Sequence, residues 1–209
     1  MKDNLTNNSV LGFSFLLSSK APVPGGGSAA ALIGALSAAL CEMAGNLTIG
    51  KKKYAAYEDD QKRMIAACEI LRERFLQLIE ADAAAFEPLS KAYALPKDDP
   101  NYAETMTAVT LKACQAPYQM LECCCETIQL LEEMLEKCSR LMISDVGCGA
   151  VAAEAAMKAA YLNVIINTQM LPENEEAILL ERNSEAMLNI WLPRAKTITD
   201  SVTESLRRK

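Results

Sequence analysis

One aspartate occupies the apolar side of a long helical pattern, where a charge is costly. Between residues 64 and 93, apolar side chains recur every three or four positions, and Asp82 takes one of those positions among alanines. An unpaired carboxylate in a dry interior is strongly disfavoured, and burial should raise its pKa, which suits proton transfer. We predict that Asp82 is a general base or acid. The alternative is a structural contact with a lysine or with a helix N-terminus.

A glycine-rich segment at residues 22–28 is the second candidate. Its two prolines favour an extended chain, its glycines allow unusual backbone angles, and Ser28 suits the N-cap of the helix that follows. A helix N-terminus reached by such a loop favours anionic or electron-rich ligands. We therefore predict a binding loop formed by Gly25, Gly26, Gly27 and Ser28. The alternative is that the glycines only allow two backbones to touch.

Three consecutive lysines follow the end of that helix. Lys51, Lys52 and Lys53 come shortly after Asn46, which lies one helical turn beyond Glu42. Such a run is often only a solvated surface. Next to the glycine loop, however, the lysines could hold a carboxylate or stabilise an oxyanion, with Asn46 beside them.

Two further polar pairs lie on the other small-residue helix. Ser144 and Asp145 suit the start of that helix, so they are either caps or part of a site. Asn163 and Asn167 lie one turn apart near its end. They are either hydrogen-bonding partners between helices or ligand-binding amides.

The residue types exclude several chemistries. The chain has no histidine, so histidine-based triads are excluded, and the 8 cysteines show no CxxC spacing for zinc. We interpret the cysteines as reduced, buried thiols and predict no metal. Gly25, Gly27 and Ala30 fit a dinucleotide fingerprint formally, but no strand precedes them. What remains is carboxylate, lysine, amide and hydroxyl chemistry, which suits hydrolysis or ring closure at an activated carbon.

Composition and periodicity predict an all-α protein. Hydrophobic residues make up 51% of the chain but aromatic residues only 5%, an Ala/Leu-rich balance typical of helices. We predict one domain, residues 1–209, folded as an up-and-down bundle of about six helices. These helices span about 9–18, 28–47, 57–93, 102–137, 144–168 and 173 to the end. The second and fifth are rich in Ala and Gly, should be central, and should lack a wet side, which suggests a partner subunit.

Charge and hydropathy limit the partners. The net charge of -6 disfavours nonspecific nucleic-acid binding. Residues 21–41 are uncharged and as long as a membrane span, but Pro, Gly, Ala and Ser dominate them. We interpret this stretch as a buried loop and helix, and we find no convincing signal peptide. The expectation is a cytoplasmic protein without a membrane partner.

Several of these segments resemble the cyclodeaminase/cyclohydrolase family of folate one-carbon enzymes. The resemblance rests on residues 22–28 and 46–54 and continues, in the same order, through 82–86, 95–97, 144–145 and 161–167. It implies an all-helical fold, a homodimer, a tetrahydrofolate substrate and no separate cofactor.

The resemblance also implies roles for the candidate residues. Asp82 would transfer the proton, assisted by Lys52 or Lys53. Asn163, Asn167 and the glycine loop would orient the pterin and its aminobenzoyl arm, and the other lysines would face the glutamate tail.

Three functions remain open from the sequence. The first is hydrolysis of 5,10-methenyltetrahydrofolate to 10-formyltetrahydrofolate, and the second is cyclodeamination of 5-formiminotetrahydrofolate with release of ammonia. The third is a non-catalytic folate-binding or scaffold subunit. That third function predicts Asp82 in a salt bridge and no cleft beside the glycines.

Overall fold

The computed structural model describes residues 4–207, and these residues form an all-α bundle, as predicted. The six α-helices are α1 (Val10–Leu17), α2 (Gly26–Asn46), α3 (Glu58–Ala92), α4 (Tyr102–Lys137), α5 (Ile143–Thr168) and α6 (Glu175–Arg207). Short 3₁₀ segments occur at Leu5–Asn7, Lys52–Tyr57 and Arg140–Met142. The part of the chain between residues 4 and 207 contains no strand.

Close packing of α2 against α3 depends on three glycines. The two helices run antiparallel, and a Cβ atom added at any of these glycines would collide with an α3 side chain. The distances would be 2.1 Å between Gly27 and Asp82, 2.4 Å between Gly34 and Phe75, and 2.7 Å between Gly45 and Ile65. These glycines therefore let α3 lie directly on the backbone of α2.

Helices α2 and α5 lie at the centre of the bundle, also as predicted. They run antiparallel, and the Ser37 hydroxyl of α2 donates a hydrogen bond of 2.7 Å to the Gly149 carbonyl oxygen of α5. Most alanines of both helices are buried against larger side chains from α3 and α4, such as Phe75, Met120 and Leu131. Small residues on the central helices thus pair with large residues on the outer ones.

The expectation that the central helices lack a wet side is wrong for the single chain. Their small residues face the bundle, and several of their large apolar residues point outward. The exposed residues are Leu36, Met43 and Leu47 on α2, and Val151, Leu162 and Ile166 on α5. We call these six residues the α2–α5 face.

Helix boundaries follow the sequence closely, but two predicted caps are wrong. Helix α2 begins two residues before Ser28, with Gly25 at the N-cap, so Ser28 lies inside the first turn. Helix α5 begins at Ile143 after Met142, which places Ser144 and Asp145 inside its first turn. In both cases the helix extends further toward its N-terminus than the cap preference of serine indicates.

Two helical segments, Gly26–Asn46 and Arg140–Thr168, are long and apolar enough to cross a bilayer. Core helices of soluble proteins have the same length and hydropathy. In this bundle, the small faces of both segments are buried against other helices.

Candidate active site

A cleft of about 240 Å³ opens where the N-terminus of α2 meets the C-terminal halves of α3 and α5. Its polar lining comes from the backbone of Gly25, Gly26 and Gly27 and from the side chains of Asp82, Asn163 and Asn167. Its apolar walls include Pro22, Val23, Phe86, Leu89, Tyr93 and Ile166. The cleft thus unites the glycine loop, the aspartate and both asparagines.

Asp82 is half-buried in this cleft, and its carboxylate has no cationic partner among residues 4–207. Loss of solvent on burial raises the pKa of its carboxyl, and hydrogen bonds from the Ser28 hydroxyl and backbone N–H oppose that rise. The Ser28 Oγ donates to Asp82 Oδ2 at 2.9 Å. No lysine or arginine in residues 4–207 lies within ion-pair distance of Asp82. The carboxylate is therefore stabilised by a helix N-terminus and remains available to a cationic ligand.

The three glycines have different surroundings. A Cβ atom at Gly27 would overlap Asp82 Oδ1 at 2.1 Å, so Gly27 is what lets the carboxylate reach the first turn of α2. A Cβ atom at Gly26 would meet Asn163 Nδ2 at an ordinary 3.5 Å, and one at Gly25 would meet nothing within 4 Å. The nearest atoms at Gly26 and Gly27 belong to side chains, so the alternative that the glycines let two backbones touch is not observed there.

Asn163 and Asn167 use their amide NH₂ groups within the protein. Asn163 Nδ2 donates to the Ala159 carbonyl oxygen at 2.8 Å, and Asn167 Nδ2 donates to the carbonyl oxygen of Asn163 at 2.9 Å. Within residues 4–207, neither side-chain amide oxygen accepts a hydrogen bond. Each asparagine is thus held through its NH₂ group while its oxygen can accept from a ligand.

The other predicted site residues lie at the opposite end of the bundle. Because an α-helix rises about 1.5 Å per residue, the 21 residues of α2 separate its two ends by about 30 Å. The residues at the far end are Asn46, Lys51, Lys52, Lys53, Ser144 and Asp145. The expectation that the lysines lie beside the glycine loop is therefore not met within one chain.

At that far end, Lys51 has a polar partner that holds it. Its Nζ donates to Ser139 Oγ at 3.0 Å, which ties the α2–α3 connection to the α4–α5 connection. Lys52 and Lys53 are exposed, and Lys53 lies 5.8 Å from the ring centre of Tyr54. Glu42 of α2 pairs with Arg72 of α3 at 3.2 Å.

Sequence reasoning missed the apolar walls of the cleft. Phe86, Leu89 and Tyr93 continue the stripe that contains Asp82, and a stripe of this kind is ordinarily core. Phe86 and Tyr93 are instead 37% and 50% exposed, and they line the cleft with Leu89. Their position on the same helical line as Asp82 was the signal that could have identified them.

The sequence has relatives along almost its whole length. The profile of the family described as Formiminotransferase-cyclodeaminase matches residues 9–186. The methenyltetrahydrofolate cyclohydrolase of Methylorubrum extorquens is 36% identical over 197 residues, which cover 92% of this chain and 93% of that protein. The formimidoyltransferase-cyclodeaminase of Mus musculus is 26% identical over 212 residues, and the chain spans 38% of its length.

A solved structure has the same fold. The formiminotetrahydrofolate cyclodeaminase of Thermotoga maritima superposes with a TM-score of 0.83 and covers 94% of this chain and 98% of its own. Its sequence is 24% identical, so this likeness concerns the arrangement of helices.

Proposed function

Because the chain belongs to the Formiminotransferase-cyclodeaminase family, we propose that it hydrolyses 5,10-methenyltetrahydrofolate to 10-formyltetrahydrofolate. The observation that carries the proposal is the Asp82 carboxylate, which lines the cleft without a cationic partner in the described chain. The Methylorubrum extorquens relative, named for this activity, aligns with the chain over 93% of its own length.

The substrate is matched to such a carboxylate. In 5,10-methenyltetrahydrofolate a cationic carbon bridges N5 and N10. A water oxygen bonds to that carbon and loses a proton, which gives a neutral carbinolamine. The carbinolamine hydroxyl then loses its proton as the bond between the carbon and N5 breaks. N5 takes up a proton, and the carbon stays on N10 as a formyl group. The net reaction consumes one water and releases one proton.

Asp82 accepts the proton of the attacking water and returns one to N5. Its negative charge also favours the cationic substrate over the neutral product, because the half-buried cleft screens charges less than bulk water does. The amide oxygens of Asn163 and Asn167 accept hydrogen bonds from the pterin, and the N-terminal turn of α2 orients its electron-rich atoms.

The distant lysines belong to this mechanism through a second copy of the chain. Lys52 and Lys53 cannot reach Asp82 in their own subunit, because the length of α2 separates them. Suppose that two subunits pack through the α2–α5 face about a two-fold axis near Leu36, the midpoint of α2. The α2 helices then run antiparallel, and the lysine end of one subunit lies beside the cleft of the other.

The exposed apolar residues support this homodimer. Leu36 and Leu162 are 55% and 65% exposed on neighbouring helices, and Met43 and Ile166 add to the same surface. Exposed large apolar residues on neighbouring helices are typical of protein–protein interfaces. The proposal therefore includes a homodimer with two composite sites, in which a lysine of the second copy assists Asp82.

The proposal requires only the folate and water as reactants, with no separate cofactor and no nucleic-acid or membrane partner. We place the enzyme in the cytoplasm, since its cysteines are free and seven of the eight are buried.

The second candidate is cyclodeamination of 5-formiminotetrahydrofolate, which has the same site requirements. The Mus musculus relative and the Thermotoga maritima structure carry names for that activity. In that reaction N10 attacks the formimino carbon on N5 and ammonia leaves. The scaffold alternative fits less well, because it requires a salt bridge at Asp82 and no cleft at the glycines.

Assays of the purified full-length chain on both substrates test the proposal. Loss of methenyl absorbance reports hydrolysis, and ammonia release from 5-formiminotetrahydrofolate reports cyclodeamination. We expect the first reaction to be the faster, after subtraction of the uncatalysed rate. Ammonia release as the dominant activity would establish the second candidate, and folate binding without either reaction would support the scaffold alternative.

A further inference from the structure

A second groove runs beside the cleft and shares a wall with it. Its volume is about 270 Å³, and three of its lining residues, Pro22, Val23 and Phe86, also line the cleft. Ser90 and Lys91 of α3 lie in its lining as well. An elongated ligand that starts at Asp82 can therefore continue past Phe86 into this groove.

The geometry of α3 sets the length of that path. From Asp82 to Lys91 the helix advances by nine residues, or about 13 Å along its axis. Phe86 lies between them, and its partly exposed ring separates the cleft from the groove. A ligand that reaches both ends needs an apolar, ring-sized middle section and a polar end.

Lys91 is the cation at the end of this path. Its Nζ lies 3.1 Å from Glu87 Oε1 one turn earlier, and the two side chains are 76% and 52% exposed. Exposed pairs at this spacing contribute little stability, so a ligand carboxylate can compete for the ammonium group at small cost.

We propose that this second groove binds the aminobenzoyl-glutamate arm of the substrate, with Lys91 on a glutamate carboxylate. This inference rests on the proposed function. The arm has a ring joined to a carboxylate-bearing amino acid, which matches an apolar wall followed by an ammonium group. Lys91 is then a specificity-determining residue that acts on the tail of the substrate, away from the reacting carbon.

The test combines a lysine substitution with removal of the glutamate. In Lys91→Ala we expect KM for 5,10-methenyltetrahydrofolate to rise about fivefold while kcat stays unchanged. A change of this size corresponds to the loss of one exposed charge contact. KM for 5,10-methenyltetrahydropteroate, which lacks the glutamate, should stay at the wild-type value. The matched control is Lys196→Ala, since Lys196 forms the same kind of exposed pair, with Asp200 at 2.5 Å on α6.

An equilibrium measurement separates this inference from the proposed function. The dissociation constants of 5-formyltetrahydrofolate and 5-formyltetrahydropteroate are measured for wild type and Lys91→Ala. A loss confined to the glutamate-bearing ligand supports the groove even if the wild type turns over neither substrate. Equal effects on both ligands, or no effect on either, would overturn it while leaving the activity assays as they stand.

Discussion

At the scale of single residues, Ser28 contacts Asp82 and does not cap helix α2, although its position in the sequence indicates a cap. A serine before a helix is an expected N-cap, and we predicted that it would bind substrate. In the structure it is fully buried, and both its hydroxyl and its backbone N–H donate to Asp82. A side chain without exposed surface reaches a ligand only through its neighbour, so we propose that Ser28 positions the carboxylate.

Replacing Ser28 with alanine should move the pH dependence of the reaction. The hydroxyl lowers the pKa of Asp82, which burial raises, so its removal raises that pKa further. Asp82 acts as a base only when ionised, and activity is lost as pH falls through its pKa. In Ser28→Ala, the acidic limb of kcat/KM against pH should therefore lie at higher pH than in the wild type.

The control for this profile is Ser37→Ala, which removes a buried hydroxyl from the same helix. Ser37 donates to Gly149 on α5, away from Asp82, so that variant should keep the wild-type acidic limb. An unchanged limb in Ser28→Ala would mean that Asp82 does not set the pH dependence.

At the scale of helices, the site depends on the contact between the first turn of α2 and α3. The carboxylate reaches that turn because Gly27 has no side chain. A methyl group at this position must displace Asp82 from the Ser28 N–H and hydroxyl. A change at this contact therefore affects both the packing of α2 against α3 and the position of Asp82, the proposed base.

Gly27→Ala should lower kcat by at least about tenfold and also destabilise the fold, in the range of about 1–3 kcal/mol for overpacking. Gly25→Ala is the matched control, since its methyl group meets nothing within 4 Å and its φ of -122° suits alanine. Kinetics and denaturant unfolding of the two variants would check this. Equal behaviour of the two would show that close approach at Gly27 is unimportant.

The helices themselves were largely predictable, since periodicity alone places α4 at residues 102–137, as observed. Asp82 and the two asparagines were also identifiable, because polar groups stand out on apolar or small-residue faces. The cap assignments were not, since Ser28 and Ser144 lie inside helices that begin earlier. Cap preference is a local signal, whereas the start of α2 also depends on its contact with Asp82 of α3.

At the scale of the whole molecule, the candidate residues form two groups at opposite ends of a long helix. Nearness of the lysines to the glycine loop in sequence indicated nearness in space. A helix of 21 residues converts that sequence separation into about 30 Å. Sequence reasoning also placed α2 in the interior without showing that its large side chains face outward, where a second subunit can cover them.

Mixing two inactive variants tests the composite site. Asp82→Asn removes the base, and the double substitution Lys52→Ala with Lys53→Ala removes the lysines. Mixed dimers would contain one site with both defects and one intact site. After subunit exchange of equal amounts, activity should recover to about a quarter of wild type, the statistical share of intact sites in a two-fold dimer.

Dimer formation is checked separately by analytical ultracentrifugation. Leu36→Asp places a charge on the proposed two-fold axis, so this variant should sediment as a monomer and lose activity. Two results would remove the lysines from the site. One is that activity does not recover although subunit exchange is demonstrated, and the other is full activity in the lysine variant alone.

The measurement that tests the central claim most directly is the rate of methenyl absorbance loss for wild type and Asp82→Asn. The account predicts rapid loss with the wild type and a kcat at least about a hundredfold lower in the variant, as for a lost general base. The variant should be no less stable near neutral pH, because an ionised carboxylate with a raised pKa costs stability there and asparagine carries no charge. Turnover close to wild type in a folded Asp82→Asn protein would contradict the account.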